Sequence, residues 1–599
     1  MKKFYLILFM FGLIQSYNHA QQDCKNIGMN LYYNKYWSRE MPFADLTKQA
    51  SQWLDEELKP IDLDSAEFEA VTGYPSKIPI HYQGEYIKLK RIVCLDNGGI
   101  HPSGDYVLSF EGSGDVTIEG EDIDSETIIN TNRKVYAITP KKKGEIILVI
   151  NHSVQDDPVR DISLMLPGTD KEADLFNPAF LEKLSPFTTI RFLNWTETNY
   201  NTIESWSERI LPVYYDQSST KGVAYEYIVA LCNVLKKDLW LNTPHAANEA
   251  FIENLAKLMH DNLDSDLNTF LEYSNEVWNT NHKSYWWVAQ QGSSLHPDHQ
   301  YQYAYFSGKM FQTFKKNFTK GKLTRVLCGQ QAWSDVIFRS AKGMDYFSFT
   351  DDYDAISCTG NIYLTDQDQV NVRNLGSNLK PEDVLAMLEK NMNSEIKTNM
   401  AKHVQISNIA QKALISYESS PYALVQYPQF ASPPSYAAAI YESIYHPKMK
   451  EIYSNWIKTL FDDFHLDLMM AFVLADDNRS HYGSFGHLDN IFQETPYNPA
   501  YQALLDARCT TSIAPETRFE DDVMIYPNPA SPNTTCRVAT SRSIDKVQIY
   551  DIYGHLVSSY TDINLSTQDI DVSKMKSGVY LLKIILQNGN HHTSKLVLE

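Results

Sequence analysis

At 599 residues the chain is too long for one hydrophobic core, and roughly two to four domains are expected. Its 43% hydrophobic and 21% charged content excludes a disordered chain. The formal net charge of −21 argues against nucleic acid or an anionic membrane surface as the main partner, and leaves a neutral partner unspecified.

The N-terminus reads as an address. Lys2 and Lys3 precede the apolar run Phe4–Ile14, and Ala20 is a small residue suited to cleavage, which predicts a signal peptide over residues 1–20. The run is too short for a permanent anchor, and no later segment reaches about 18 uninterrupted apolar residues, so no transmembrane segment is expected. Cys24 lacks the preceding Leu and small residues of a lipoprotein box. Seven cysteines without a CxxC imply neither a disulfide framework nor a zinc ribbon; Cys232, Cys328 and Cys358 sit in apolar segments and are expected as buried thiols.

Asn26–Leu31 is a strand candidate, and Leu46, Ala50, Trp53 and Leu54 have helical spacing. From residue 75 to 164 the apolar period is 2, as in Tyr106/Leu108/Phe110 and Ile146/Leu148/Ile150, which predicts an inserted all-β domain. Strand candidates then recur at Thr188–Leu193, Leu239–Asn242, Thr269–Tyr273, Thr324–Cys328, Tyr353–Ser357, Ala413–Tyr417 and Leu468–Phe472. Helical faces fall between them, such as Tyr227/Leu231/Val234/Leu235 and Phe251/Leu255/Leu258/Met259. Eight strand–helix units over 24–74 and 165–510 predict an α/β fold of the (β/α)8 TIM-barrel type. A doubly wound open sheet is the alternative, weakened because no Gly-rich phosphate loop follows any strand. Residues 520–599, after the polar stretch Thr511–Asp522, carry short strands punctuated by Gly554 and Gly578, the pattern of a small β-sandwich.

A barrel carries its chemistry at the C-terminal ends of its strands. Those ends supply Asn30, Arg191, Asn194, Asn242, His245, Ser274, Asn275, Glu276, Gln330, Asn361, Tyr363, Tyr417 and Glu418. Two carboxylates stand out, Glu276 after the fourth strand and Glu418 at the seventh, on opposite sides of a barrel mouth. Glycoside cleavage needs such a pair, one to protonate the leaving oxygen and one to attack the anomeric carbon or activate water. Glu272 reads as a structural carboxylate. His245 and Trp278 are candidate sugar contacts, with capping or packing as the plainer reading; Trp286, Trp287 and Trp333 are open to the same two readings. His296-Pro-Asp-His299 resembles metal-ligand spacing but is expected as a solvated loop. No metalloprotease, EF-hand or deaminase signature occurs, so no cofactor or metal is expected.

Asn275-Glu276 at the end of strand four, with Glu418 at the end of strand seven, resembles the pattern of clan-A glycoside hydrolases. That resemblance implies Glu276 as acid/base, Asn275 as the contact to the sugar 2-hydroxyl, Glu418 as nucleophile and Arg191 as the arginine beside it. It also matches Tyr363, on position alone, to a tyrosine supporting the nucleophile. The phrase Leu271-Glu-Tyr-Ser-Asn-Glu-Val-Trp-Asn279, with Arg191-Phe-Leu-Asn-Trp195, is similar to large secreted bacterial proteins described as cellulose-binding or hydrolase-like. Where those end a strand in Tyr-Glu-Gly-Gly, this chain has Tyr417-Glu-Ser-Ser420. The C-terminal unit, with YPNP at 526–529, IYDIYG at 549–554, SGVYLLKI at 577–584 and KLVL at 595–598, resembles the sorting domain of type IX secretion. It implies that secretion machinery as a partner and a secreted or outer-surface location.

Together these features predict a secreted, retaining glycoside hydrolase acting on a β-linked polysaccharide or oligosaccharide. A non-catalytic carbohydrate-binding or adhesion protein on a degenerate barrel is the rival reading. A third makes the β insertion the sugar-binding element.

Overall fold

The computed structural model describes residues 25–508 and 524–598, apart from 62–66, 96–99, 142–143, 426–427, 429–430, 482, 494–497, 527–529, 531–534, 552–555 and 588–590. The expected signal peptide, Cys24 and the polar stretch before the C-terminal unit lie outside the described residues. The chain forms two compact units, residues 1–509 and 510–599.

The first unit holds eight parallel strands: β1 (Ile27–Asn30), β2 (Thr189–Arg191), β3 (Asp238–Thr243), β4 (Asn268–Tyr273), β5 (Lys322–Cys328), β6 (Ala355–Thr359), β7 (Ala413–Ser419) and β8 (Leu468–Ala471). They pair in chain order, and β8 returns to β1 with Ile27 opposite Met469, so the sheet is closed and the open doubly wound alternative is excluded. Trp240, Phe270, Val326, Cys328, Ile415, Tyr417 and Met470 fill the barrel interior as a cluster of their own, and the Trp240 and Phe270 rings stack at 5.4 Å. The opposite faces pack outward, which is why these strands read as continuous apolar runs. Gly28 is fixed by space: a Cβ there would lie 2.2 Å from the Met470 sulfur and 2.8 Å from the Thr189 carbonyl oxygen.

Surrounding helices use ordinary signals. The helix Glu249–Asn262 is capped by the Asn248 side chain, which accepts from Phe251 N at 2.9 Å, and it buries Phe251, Leu255 and Met259. In the helix Tyr225–Leu235 the expected face is rotated. Tyr225, Ile228, Val229 and Cys232 are buried with Leu231, whereas Val234 is 57% exposed, because two apolar stripes compete there and the i, i+3, i+4, i+7 set wins. Cys232, Cys328 and Cys358 are buried thiols, as expected.

The helix expected through residues 46–54 is a single 3₁₀ turn, Leu46–Gln49. Leu46, Ala50, Trp53 and Leu54 are all buried, but beyond residue 50 the chain hydrogen-bonds sideways: Ser51 N donates to Ile92 O, and Leu54 and Lys90 exchange bonds. The insertion therefore captures this segment as extended chain. Its strands form a four-stranded antiparallel sheet (160–165, 104–111, 133–138, 123–130) and a three-stranded one (89–95, 145–153, 114–119). Tyr106, Leu108 and Phe110 are buried as the alternation predicts, while 146–150 is buried on both faces. Arg91 of the insertion lies 5.4 Å from the Trp53 ring and 4.8 Å from the Tyr215 ring, and donates to the carbonyls of Ala50 and Ser51. A cation held by two aromatic faces and two carbonyls thus pins the insertion to the barrel.

His296–Asp298 is a loop, as expected, with Pro297 exposed and His296 and Asp298 half-buried. His296 stacks on Tyr301 at 4.1 Å, His299 on Tyr285 at 4.1 Å, and Asp298 caps the helix His299–Asn317 while pairing with Arg339 at 2.8 Å. Only His299 is helical, with Asp298 as the cap, and no group of three or more metal-ligating side chains occurs among the described residues.

The second unit is a five-stranded antiparallel sheet built on 524–526, 535–551, 556–571, 578–586 and 591–598. The register of 535–551 shifts between Ala539 and Ile544, and Val538, Ile549, Leu582, Ile584 and Leu596 form its separate core.

Candidate active site

The C-terminal ends of the barrel strands open into a cleft of about 1390 Å3 lined by Asn275, Glu276, Trp278, Tyr363 and Glu418 among others. Beneath it Arg191, fully buried at the end of β2, is the hub. Its guanidinium donates to Glu272 Oε2 (2.9 Å), Glu418 Oε1 (3.1 Å), Asn275 Oδ1 (2.9 Å) and Asn30 Oδ1 (2.9 Å). The Trp240 and Tyr417 rings lie 5.5 and 5.2 Å from it. Burial opposes its charge, but Glu272 and Glu418 outweigh burial and hold its pKa above the ordinary arginine value. Glu272 also accepts from Trp240 Nε1 and Asn242 Nδ2, both at 2.8 Å, so it serves as the buried counter-ion, the structural part expected of it.

Glu418 sits on β7, where the ladder register shifts between Ser416 and Ser419 and between Cys358 and Thr359 of β6. This irregularity lets consecutive residues Tyr417 and Glu418 both reach the barrel mouth, which strict strand alternation forbids. Tyr417 donates to Glu276 Oε1 at 2.9 Å. Glu276 also accepts from Asn279 Nδ2 at 3.0 Å. The turn that presents Glu276 has left-handed backbone at Ser274 (φ 56°) and at Glu276 itself (φ 41°). Non-glycine residues in that region cost on the order of 1–3 kcal/mol, a strain concentrated where the carboxylate is aimed.

Burial pushes the Glu418 pKa up to about 8; Arg191 pulls it down, and the like charge of Glu276 raises it again. The two carboxylates form a pair lining one cleft. Arg191 bonds to Glu418 and so favours the charge on that member.

Asn275 directs its Oδ1 to Arg191 and donates Nδ2 to Asn199 Oδ1 at 3.0 Å. Trp278 lines the cleft. Tyr363 also lines it; burial, then the charge of Glu395, raises its pKa, and its carbonyl accepts from Asn391 Nδ2 at 3.0 Å. His245 does not line the cleft: it is 2% exposed with its ring edge-on to Trp287, and burial lowers its pKa to about 4. Trp286 and Trp333 are about 60% exposed, and Trp287 packs on the core.

Several cleft residues had no sequence signal: Tyr32, Tyr33, Lys35, Glu197 and Asp476 sit on loops after β1, β2 and β8. Leu95, at the end of a strand of the insertion, lines the cleft and donates its N–H to Tyr36 O at 3.1 Å.

Residues 524–599 match the secretion system C-terminal sorting domain. That match marks the chain for secretion and the cell surface. No curated protein matches the chain. Among solved structures, it is similar to an endo-β-1,4-mannanase from Thermotoga petrophila at 11% identity, over 70% of this chain and 93% of that one, with a TM-score of 0.29. An α-L-arabinofuranosidase from Thermotoga maritima aligns at 11% identity over 70% and 77% of the two chains, with a TM-score of 0.35. A β-glucuronidase from Bacteroides uniformis aligns at 11% over 91% of this chain and 65% of its own, with a TM-score of 0.30. The chain therefore spans under two thirds of that glucuronidase.

Proposed function

We propose that the chain is a secreted glycoside hydrolase that cleaves a β-linked polysaccharide or oligosaccharide with retention, Glu276 acting as acid/base and Glu418 as nucleophile. The observation that carries this reading is a carboxylate pair across one barrel mouth in which a buried arginine bonds to one member only. In the first step the Glu418 carboxylate attacks the anomeric carbon while the proton on Glu276 passes to the leaving oxygen. In the second, Glu276 takes a proton from water, the water oxygen attacks the same carbon, and Glu418 leaves as carboxylate. Asn275, held by Arg191 through Oδ1, presents its amide to the sugar 2-hydroxyl.

Ser419 and Ser420, standing where the similar proteins have glycines, argue against a collapsed site. Ser419 Oγ pairs with Ser416 Oγ at 2.6 Å, and Ser420 N donates to Asn361 Oδ1 at 3.0 Å. Both serines are thus bonded in place. Glu418→Gln is expected to lower reducing-sugar release by several orders of magnitude while glycan binding survives, and the unsubstituted chain is expected to release first the anomer that matches the substrate's in a proton NMR time course. Unchanged turnover in that variant refutes the assignment.

A further inference from the structure

The charges around the carboxylate pair carry information about the glycan, resting on the reading of this cleft as a sugar site. Lys35 lines the cleft, but its Nζ lies 2.6 Å from Glu197 Oε1 and donates to the Ser218 carbonyl. Both partners are largely buried, with side chains 19% and 6% exposed. Arg39 pairs with Asp477 at 3.2 Å. Arg191 lies underneath, committed to Glu272 and Glu418. Arg479 is exposed at the rim. Lys35, Arg39 and Arg191 are therefore each neutralised by a carboxylate of this chain, while Glu276, Glu418 and Asp476 also face the cavity.

We propose that the cleft takes an uncharged glycan and turns away glycans bearing uronate or sulfate, with the Lys35–Glu197 pair as the specificity element. A uronate entering here meets carboxylates, and among the described lysines and arginines of the cleft only Arg479, exposed at the rim, is not paired with one; an uncompensated charge deeper in a partly desolvated site is strongly disfavoured. A neutral sugar meets two complementary groups: Glu197 accepts from a hydroxyl while Lys35 donates to its neighbour. Charge-assisted bonds of this kind are strong, and their loss on removing one partner is correspondingly large. Burial raises the Glu197 pKa and Lys35 lowers it, so the ammonium is what keeps this acid available as an acceptor.

The test is calorimetric binding of neutral hexasaccharides (cello-, manno- and xylo-series) against hexaglucuronate and hexamannuronate, on the full chain carrying Glu418→Gln. That substitution can only make the cleft less negative, so it does not bias the comparison toward the proposal. A neutral series is expected to bind at least about 100-fold more tightly than either acidic one. Glu197→Gln frees the Lys35 ammonium and is expected to narrow that ratio at least about 10-fold; should this variant not fold, the ratio in the parent decides alone. Acidic oligosaccharides bound as tightly as neutral ones overturn the proposal. Reducing-sugar release by the unsubstituted chain is read in parallel. Neutral-selective binding without release leaves this inference standing and defeats the hydrolase reading. Release from an acidic polymer, lost in Glu418→Gln, does the reverse, and binding of neither class overturns both.

Discussion

Replacing Arg191 with methionine keeps most of the side chain's length and removes the one cation that serves both Glu272 and Glu418. Removing one partner of a buried pair costs about 3–5 kcal/mol, because the remaining charge is left without compensation. The Glu418 pKa, already up at about 8 with the guanidinium beside it, climbs further in the variant. A carboxyl whose folded pKa is raised binds more protons folded than unfolded. Its contribution to stability is therefore lost as pH rises from the unfolded value, about 4.3, through the folded one. The part of the penalty that Glu418 carries should accordingly be small at pH 6, where both folded chains hold it protonated, and grow toward pH 9.5, above the parent's folded pKa. Urea unfolding of the barrel unit at the two pH values measures this directly, with Arg191→Lys as the companion. Lysine keeps the charge but has one nitrogen where the guanidinium serves four partners, so it is expected to fall between the two. An equal loss at both pH values means that packing rather than charge is at stake, and no loss at either refutes the role of Arg191 as hub.

Tyr417→Phe removes the hydroxyl that donates to Glu276, a bond to an ionisable group worth about 1.5–3 kcal/mol. Steady-state kinetics should show kcat/KM reduced by roughly 10- to 100-fold with the urea midpoint little changed; an unchanged kcat/KM removes Tyr417 from the site. Glu40 is fully buried, and burial lifts its pKa to about 8 against the pull of backbone N–H groups. Its contribution thus declines as pH rises from about 4.3 toward 8, so Glu40→Gln should match the parent near pH 5 and exceed its urea midpoint at pH 9. A variant less stable at pH 9 shows Glu40 to be ionised and paired in the fold.

The eight barrel strands were legible because each is short, apolar throughout and flanked by helical spacing, a pattern that buried parallel strands impose. Glu276 and Glu418 were legible as carboxylates closing such runs. The helical reading of Leu46–Leu54 failed because periodicity reports burial and not the partner: the same four side chains are buried, yet their backbone is claimed by Lys90 and Ile92. Tyr417 was legible beside Glu418 at the end of the seventh strand but not as a donor to Glu276, since alternation allows only one of two consecutive residues to face the mouth and the register shift in β7 admits both. Lys35, Glu197 and Asp476 belong to loops whose course follows from tertiary packing, and no local pattern specifies where such a side chain arrives. His245 shows the converse, a strand-end histidine directed into packing against Trp287.

Strand β1 joins two distant parts of the chain, pairing on one side with Ile190 of β2 and on the other with Met469 of β8. The first of these seams spans the whole insertion, and the second spans the whole barrel. The entropy of closing such loops grows only logarithmically with length, so the thermodynamic penalty is modest. The kinetic one is larger, because contacts of this sequence separation slow folding. An early-synthesised strand must wait, edge exposed, until nearly the last barrel strand exists, and that makes β1 the place where a delayed chain would recruit a wrong partner.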